Sequence, residues 1–568
     1  GYNSAAHDPN GGADKYDRRI FHSNLAVQAG AYQNSSWVVA VAKAGVEDGA
    51  GLIGSSVIVN PSGEIVAQAE VGTPLHLGIM PAIFRSVLQK FPVDRMRPGD
   101  AIITNLPYPE GPGHLPDLSM VSPVYHGADS VALVATTSHH VDMGGFAPGS
   151  MPFGVTEIYQ EGLQIPPTRI FDGGEFVQPI YEIINQNVRT QREVRGDLMA
   201  QWAAAKTGQR RVAEMFSRHG RDETRRYMDA VLEHAEKSMR AGIAAMPDGV
   251  YTFTDYLDDD GFTDDPVTIM ATVTIDGDSL AVDFTGSSPQ VAGPLNARLT
   301  AARACVYYVA KALIDPDLPS CAGAHRPITV TAPEGCILQA RFPAAIGNAN
   351  ILTDQRVVDA LLGAFYQVVP ERVCAACSSE MNLINLGGID PVTGEYYNLV
   401  ETIGGGQGAQ IGLDGSDGMQ NHLTNTQNTP IEVVERQYPV RISRYELIPD
   451  SCGAGAHRGG CGIRREFVFE GDRAMLTIGA DRRKFQPWGL EGGTAARGAY
   501  ARLEHADGTI GELPTKVLTT LHQGDILGVE TPGGGGWGNP RNRDPEAVWA
   551  EAHCKHRRCS PPCLRTRY

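Results

Sequence analysis

Residues 113–140 read GHLPDLSMVSPVYHGADSVALVATTSHH, and three of them have the types and spacing of metal ligands: His114, Asp117 and His139. Two imidazoles and one carboxylate suit Zn²⁺, Mn²⁺ or Fe²⁺ and leave a coordination position for water. Water held in that way can act as a hydroxide nucleophile near neutral pH. His140 falls on the other face of a regular strand, which makes it the weaker candidate. Asp142 follows closely enough to support a ligand. The spacing also leaves a second reading open, in which polar residues cap a hairpin and the histidines are satisfied by backbone bonds.

One hairpin would gather the three ligands. Leu118–Val124 and Val131–Ser138 are apolar runs of strand length on either side of the turn residues His126-Gly127-Ala128-Asp129. Antiparallel pairing about that turn joins positions whose numbers sum to about 255. Asp117 is then opposite Ser138, and His139 lies beside the His114–Asp117 loop. Pro116 keeps the loop from being helix interior, and Pro123 predicts an edge or a bulge in the first strand.

The surrounding elements follow from periodicity and turn residues. Ser56-Val57-Ile58-Val59, the turn Asn60-Pro61-Ser62-Gly63 and Ile65-Val66-Ala67 predict a strand, a turn and a strand. Residues 81–91 predict a short helix ended by Pro92. The spacing of Leu198, Trp202, Val212, Met215, Phe216, Tyr227, Val231 and Leu232 predicts two or three amphipathic helices within 190–245. Strands return over 250–285, where Val267, Ile269, Ala271 and Val273 alternate before the turn Asp276-Gly277-Asp278. Further helices are expected at 297–314 and 353–369. The region 395–540 reads as β-rich, with turns at Gly404-Gly405-Gly406 and Gly533–Gly536.

The fold class is α+β: multidomain, rich in antiparallel and mixed β-sheet, with a central helical segment. The expected divisions are 1–69, a β-rich metal-site region at 70–190, a helical segment at 191–247, an α+β body at 248–545, and an irregular basic, Cys-rich tail at 546–568.

Composition narrows the function. A net charge of −17 over 568 residues argues against nucleic acid or an anionic membrane as the main partner. No apolar run approaches the ~20 residues needed to span a bilayer, and no basic-then-apolar signal segment is present. The expected location is cytoplasmic. None of the ten cysteines precedes Cys305, and three (Cys554, Cys559 and Cys563) crowd the tail, a pattern of reduced thiols and not of a disulfide framework. Cys374 and Cys377 have knuckle spacing without a second pair and read as structural thiols over a zinc site. The tail from about His553 reads as unstructured, with a basic metal-binding tail as the alternative.

An ordered series of motifs adds a resemblance. Asn105-Leu106-Pro107-Tyr108, His114-Leu115-Pro116-Asp117, Ser138-His139-His140, Gly149-Ser150-Met151-Pro152 and Thr156-Glu157-Ile158-Tyr159-Gln160-Glu161-Gly162 come first. Asp283-Phe284-Thr285-Gly286-Ser287-Ser288, Asn421-His422-Leu423-Thr424-Asn425-Thr426, Tyr438-Pro439 and Arg444-Tyr445-Glu446-Leu447 follow. Over about 70–545 the chain resembles the hydantoinase B family, which includes the corresponding part of 5-oxoprolinase and subunits of acetone and acetophenone carboxylases. By that resemblance His114, Asp117 and His139 match metal ligands. Two departures accompany it: Leu106 stands where the family has an acid, and the family's additional Asp ligand falls near Ile53.

Residues 1–69 instead resemble the C-terminal half of an N-carbamoyl-D-amino-acid amidohydrolase of the nitrilase superfamily. Those enzymes attack with a cysteine thiolate, and no cysteine precedes Cys305. The stretch reads as a truncated or recombined remnant, and stand-alone carbamoylase activity would need a nucleophile that it lacks.

The resemblance implies an ATP-dependent hydrolase subunit acting on a cyclic amide, a hydantoin or a lactam. A sugar-kinase-like, ATP-binding partner of the hydantoinase A type would phosphorylate the ring oxygen within a hetero-oligomer. Metal-bound water would then open the ring, with Glu157 or Glu161 as general base or, equally, in a capping role. The glycines of 404–412 are not followed by Lys-Ser/Thr and form no P-loop; the resemblance implies that the nucleotide site resides in the partner. Two alternatives remain: a carboxylase subunit that joins bicarbonate-derived CO₂ to a ketone enolate, and a non-catalytic scaffold or chimera.

Overall fold

The computed structural model describes the backbone of residues 45–47, 50–52, 56–59 and 65–68, and residues 74–553 apart from Asn425. The carbamoylase-like text up to residue 44, the Asn60–Gly63 turn and the tail from Cys554 lie outside the described residues.

The site is built on a seven-stranded antiparallel sheet. Its order is Ile65–Gln68, Ser56–Val59, Asp129–His139, Asp117–His126, Ala101–Thr104, Thr168–Asp172 and Glu175–Phe176. The strands from 56 to 68 thus belong to the same sheet as the hairpin, with Ser56 paired to Thr136 and Val59 to Leu133. Both faces of the hairpin are covered, which is why it reads as continuous apolar runs. Leu118, Met120, Val124 and Val134 join a core with Val194, Leu198 and Trp202 of the helix Gln191–His219. Val121, Leu133 and Ala135 face a second core with Leu75, Ile79 and Ile83 of the helix Pro74–Lys90.

The central helical segment has three members: Gln178–Asn187, Gln191–His219 and Arg221–Ala244. The last two break at Gly220, whose φ of 77° suits a residue without a side chain. The helix expected at 81–91 ends where predicted but begins earlier, at Pro74. Pro74 supplies the favoured proline of a first turn, and Pro81 is carried inside the helix.

Three more sheets follow. Gly249–Leu257, Val267–Asp276, Ser279–Asp283 and Ile328–Thr331 form one, its last pair parallel. The helices Leu299–Ile314 and Thr353–Tyr366 lie in the same core as this sheet. Tyr396–Thr402, Leu383–Ile389, Arg473–Gly479 and Lys516–His522 form the next, and a five-stranded sheet begins at Val440–Leu447. Buried ion pairs tie the third sheet to the helix Thr353–Tyr366: Arg356 meets Asp481 at 2.8 Å, and Lys516 meets the same carboxylate at 2.9 Å. The architecture is α+β with predominantly antiparallel sheet. Among the described residues, no helix is long and apolar enough to cross a membrane.

The glycine clusters are not turns, contrary to expectation. Gly404–Gly406 and Gly533–Gly536 have no left-handed member. They run through the interior backbone against backbone. Gly406 N donates to Pro532 O at 2.9 Å, Gly534 N to Gly460 O at 2.9 Å, and Gly460 N to Gln407 O at 2.8 Å. A Cβ on Gly406 would overlap the Gly460 carbonyl, and one on Gly534 the Gln407 carbonyl. Glycine is needed here for close approach, not for a bend.

Candidate metal centre

The hairpin pairs Asp117 directly with His139 and Leu118 with Ser138. This is one step from the expected register. A bulge between Val124 and Tyr125 leaves Val131 without a partner, so the pairing sum changes partway along the ladder. Pro123 faces Leu133 next to that bulge, beyond the residues that pair with Ala101–Thr104. The His114 loop is closed by Asp117 N donating to His114 O at 3.2 Å and His140 N donating to Pro116 O at 2.8 Å.

Three ligand atoms converge. His114 Nε2 lies 3.1 Å from His139 Nδ1, and Asp117 Oδ1 lies 3.2 Å from the first nitrogen and 3.3 Å from the second. Ligands about 2.1 Å from one ion, at the angles of octahedral or tetrahedral coordination, stand roughly 3.0–3.4 Å apart. The donor set and its spacing therefore fit a divalent cation. His114 Nδ1 is 3.0 Å from the carbonyl of Gly347, which can only accept. The proton is thereby fixed on Nδ1, and Nε2 presents its lone pair. His114 and Asp117 are buried, whereas the His139 side chain is 35% exposed and marks the open side.

Electrostatics separate the carboxyl groups of this region. Burial works against charge on Asp117, but His114 and His76 hold its carboxyl well below the ordinary range. Burial also works against charge on His114, and the Asp117 carboxylate outweighs it and raises the imidazole. Burial lowers His139. Glu161 moves the opposite way from Asp117: burial pushes it up to about 8.

The two glutamates part company. Glu157 is exposed at the start of the short 3₁₀ turn Ile158–Gln160, where Gln160 Oε1 accepts its N–H at 3.0 Å. Glu161 is buried. Its Oε1 accepts from Ile346 N at 2.7 Å and Gly347 N at 2.6 Å, so it reaches His114 through the residue whose carbonyl holds that ring.

His140 turns to the opposite face, as the strand alternation predicts. Its Nε2–H donates to Gln201 Oε1 at 3.1 Å, and burial pushes it down to about 4. Asp142 does not support a metal ligand. It accepts from Gly144 N, Gly149 N and Arg189 N and orders the loop after the hairpin. Cys374 and Cys377 are free thiols, and among the described residues only His114, Asp117 and His139 group as ligands.

Two neighbours escaped the sequence reading. His76 Nε2 lies 3.1 Å from Asp117 Oδ2, and Asn350 Nδ2 lies 3.5 Å from His114 Nε2. The helical repeat that carries Leu75, Ile79 and Ile83 onto the hairpin was the available signal for His76.

The family described as hydantoinase B/oxoprolinase matches residues 54–540. The chain belongs to that family. The match begins before residue 70 and takes in the strands Ser56–Val59 and Ile65–Gln68, in agreement with their place in the hairpin's sheet. A putative D-/L-hydantoinase B-type subunit of Pseudomonas sp. (strain NS671) is 32% identical over 510 residues, covering 87% of this chain and 85% of that one. The ATP-dependent caprolactamase structure from Pseudomonas jessenii superposes with a TM-score of 0.82 at 26% identity, over 96% of this chain and 94% of that chain. A nucleotide-free acetone carboxylase structure shares the fold, with a TM-score of 0.80 at 19% identity over 94% of this chain and 77% of that one. The hydantoinase B/oxoprolinase fold thus covers nearly the whole described chain, and the His114–Asp117–His139 hairpin lies inside it.

Proposed function

We propose that this chain is the ring-opening subunit of an ATP-dependent cyclic-amide hydrolase that acts on a hydantoin or a related lactam. The observation that carries this reading is the convergence of His114 Nε2, His139 Nδ1 and Asp117 Oδ1 within 3.1–3.3 Å of one another. The family supplies the reaction class: a B-type hydantoinase component and an ATP-dependent caprolactamase are its relatives.

His114, Asp117 and His139 would hold a Zn, Mn or Fe cation. That cation supplies Lewis acidity and lowers the pKa of water toward neutrality. Asp117 enters as the ionised carboxylate, and the Nδ1 proton of His114 stays on the ring, donated to Gly347 O. Substrate approaches past His139, the one exposed member. Of the two glutamates Glu161 is the one tied to the centre, and as a proton-carrying group near neutral pH it secures the Ile346–Gly347 turn beneath His114. Ring activation belongs to an ATP-binding, sugar-kinase-like partner of the hydantoinase A type that phosphorylates the ring oxygen.

The test is co-expression with such a partner, followed by assays of hydantoin, 5-oxoproline and acetone with ATP, each with and without bicarbonate. ATP-dependent ring opening without bicarbonate, lost in His139→Ala, is the expected result. Turnover of acetone alone, dependent on bicarbonate, would assign carboxylation instead. Turnover unaffected by His139→Ala would remove the site.

A further inference from the structure

We propose that His76 is a positioning residue for Asp117, taking the carboxylate oxygen that faces away from His114 and His139. The two oxygens of Asp117 have different surroundings. Oδ1 lies 3.2 and 3.3 Å from the two ligand nitrogens. Oδ2 is buried and accepts no hydrogen bond from any described group, and His76 Nε2 stands beside it at 3.1 Å, near enough to donate after a small turn of the ring. A buried carboxylate oxygen without a donor is costly, and a ligating carboxylate is commonly oriented by a partner on its free oxygen.

The helix that carries His76 is held firmly. Two residues further on, a Cβ on Gly78 would overlap Ala304, so Pro74–Lys90 lies in close contact with Leu299–Ile314. That contact fixes the height of the imidazole over the hairpin. His76 therefore keeps Asp117 ligating through one oxygen and sets the plane of its carboxylate. The proposal rests on reading the triad as a metal centre, and the experiment separates the two.

Mn²⁺ binding to the full chain is measured by calorimetry for the parent, His76→Ala and His76→Gln, with thermal unfolding of each in EDTA. His76→Ala is expected to bind Mn²⁺ about 10–100-fold more weakly, while in EDTA it still unfolds in one cooperative transition at a somewhat lower temperature, because Oδ2 loses the polar neighbour that stands beside it. His76→Gln, whose amide can donate from a similar place, is expected to recover most of the affinity. Parent-like affinity in His76→Ala, or equal losses in both variants, would overturn the proposal while leaving the metal centre intact. If His76→Ala does not fold, His76→Gln is compared with His76→Leu, and equal affinity in those two overturns it. A parent that binds no Mn²⁺ overturns the metal reading and this proposal together.

Discussion

Glu161 holds Gly347: its Oε1 accepts that residue's N–H at 2.6 Å, and the carbonyl of the same residue accepts the His114 Nδ1 proton at 3.0 Å. One metal ligand is thus oriented by a carboxyl group it never touches. Glu161→Gln keeps an acceptor for Gly347 N and Ile346 N, whereas Glu161→Ala leaves both unpaired in the interior. Each unpaired group costs about 1–3 kcal/mol. Urea denaturation is expected to show a large loss for the alanine variant and a small change for glutamine. Equal stability of the two would mean that the turn is held by something else.

The same group predicts a pH dependence. Burial raises Glu161 from its ordinary 4.5 to about 8. Between those values the folded chain keeps a proton that the unfolded chain has released. Stability from this group therefore falls as pH rises through that window and levels off above it. Glu161→Gln has no proton to lose, so its urea midpoint should fall less than the parent's between the acidic and alkaline ends of the window. Parallel pH profiles would contradict the assignment.

Gln201 is expected to matter to the fold and not to the metal. It accepts from His140 Nε2 at 3.1 Å and donates to Leu118 O at 2.8 Å, on the face of the hairpin away from the triad. Gln201→Leu should cost roughly 1–3 kcal/mol by leaving these buried groups unpaired. Its metal content, measured by plasma mass spectrometry, should equal the parent's. Loss of metal without loss of stability would place Gln201 in the wrong role.

Glycines divide sharply by surroundings. Gly406→Ala drives a Cβ into the Gly460 carbonyl and should cost about 3 kcal/mol or more, at the upper end for overpacking. Gly196, within the helix Gln191–His219, meets no atom where its Cβ would lie. Gly196→Ala should stabilise by roughly 0.5–1 kcal/mol through helix propensity and unfolded-state entropy. Thermal melts of the two variants, moving in opposite directions, are the check.

Much of this was legible in the sequence because it depends on local pattern. The hairpin strands, the helices near 191–244, 299–314 and 353–366 and the alternation over 267–273 follow from periodicity. Residue type and one turn bring His114, Asp117 and His139 to one end of the hairpin but leave a capping reading open. The reading of them as metal ligands leans on the family motifs. The exact register did not, because the bulge at Val131 adds a residue that only the packed ladder reveals. His76 was missed because it approaches Asp117 from a helix whose start was placed at the second of two prolines. The glycine clusters were misread because close packing of distant backbones leaves the same composition as a turn. Glu161 was singled out by its motif, but its link to His114 runs through Gly347, far along the chain.

Metal content of the purified full chain tests the centre most directly. The parent should hold about one divalent ion per chain after dialysis, and His139→Ala, which removes the exposed ligand while leaving both cores untouched, should hold almost none. A parent without stoichiometric metal, or a His139→Ala variant that keeps it, would contradict the assignment of His114, Asp117 and His139.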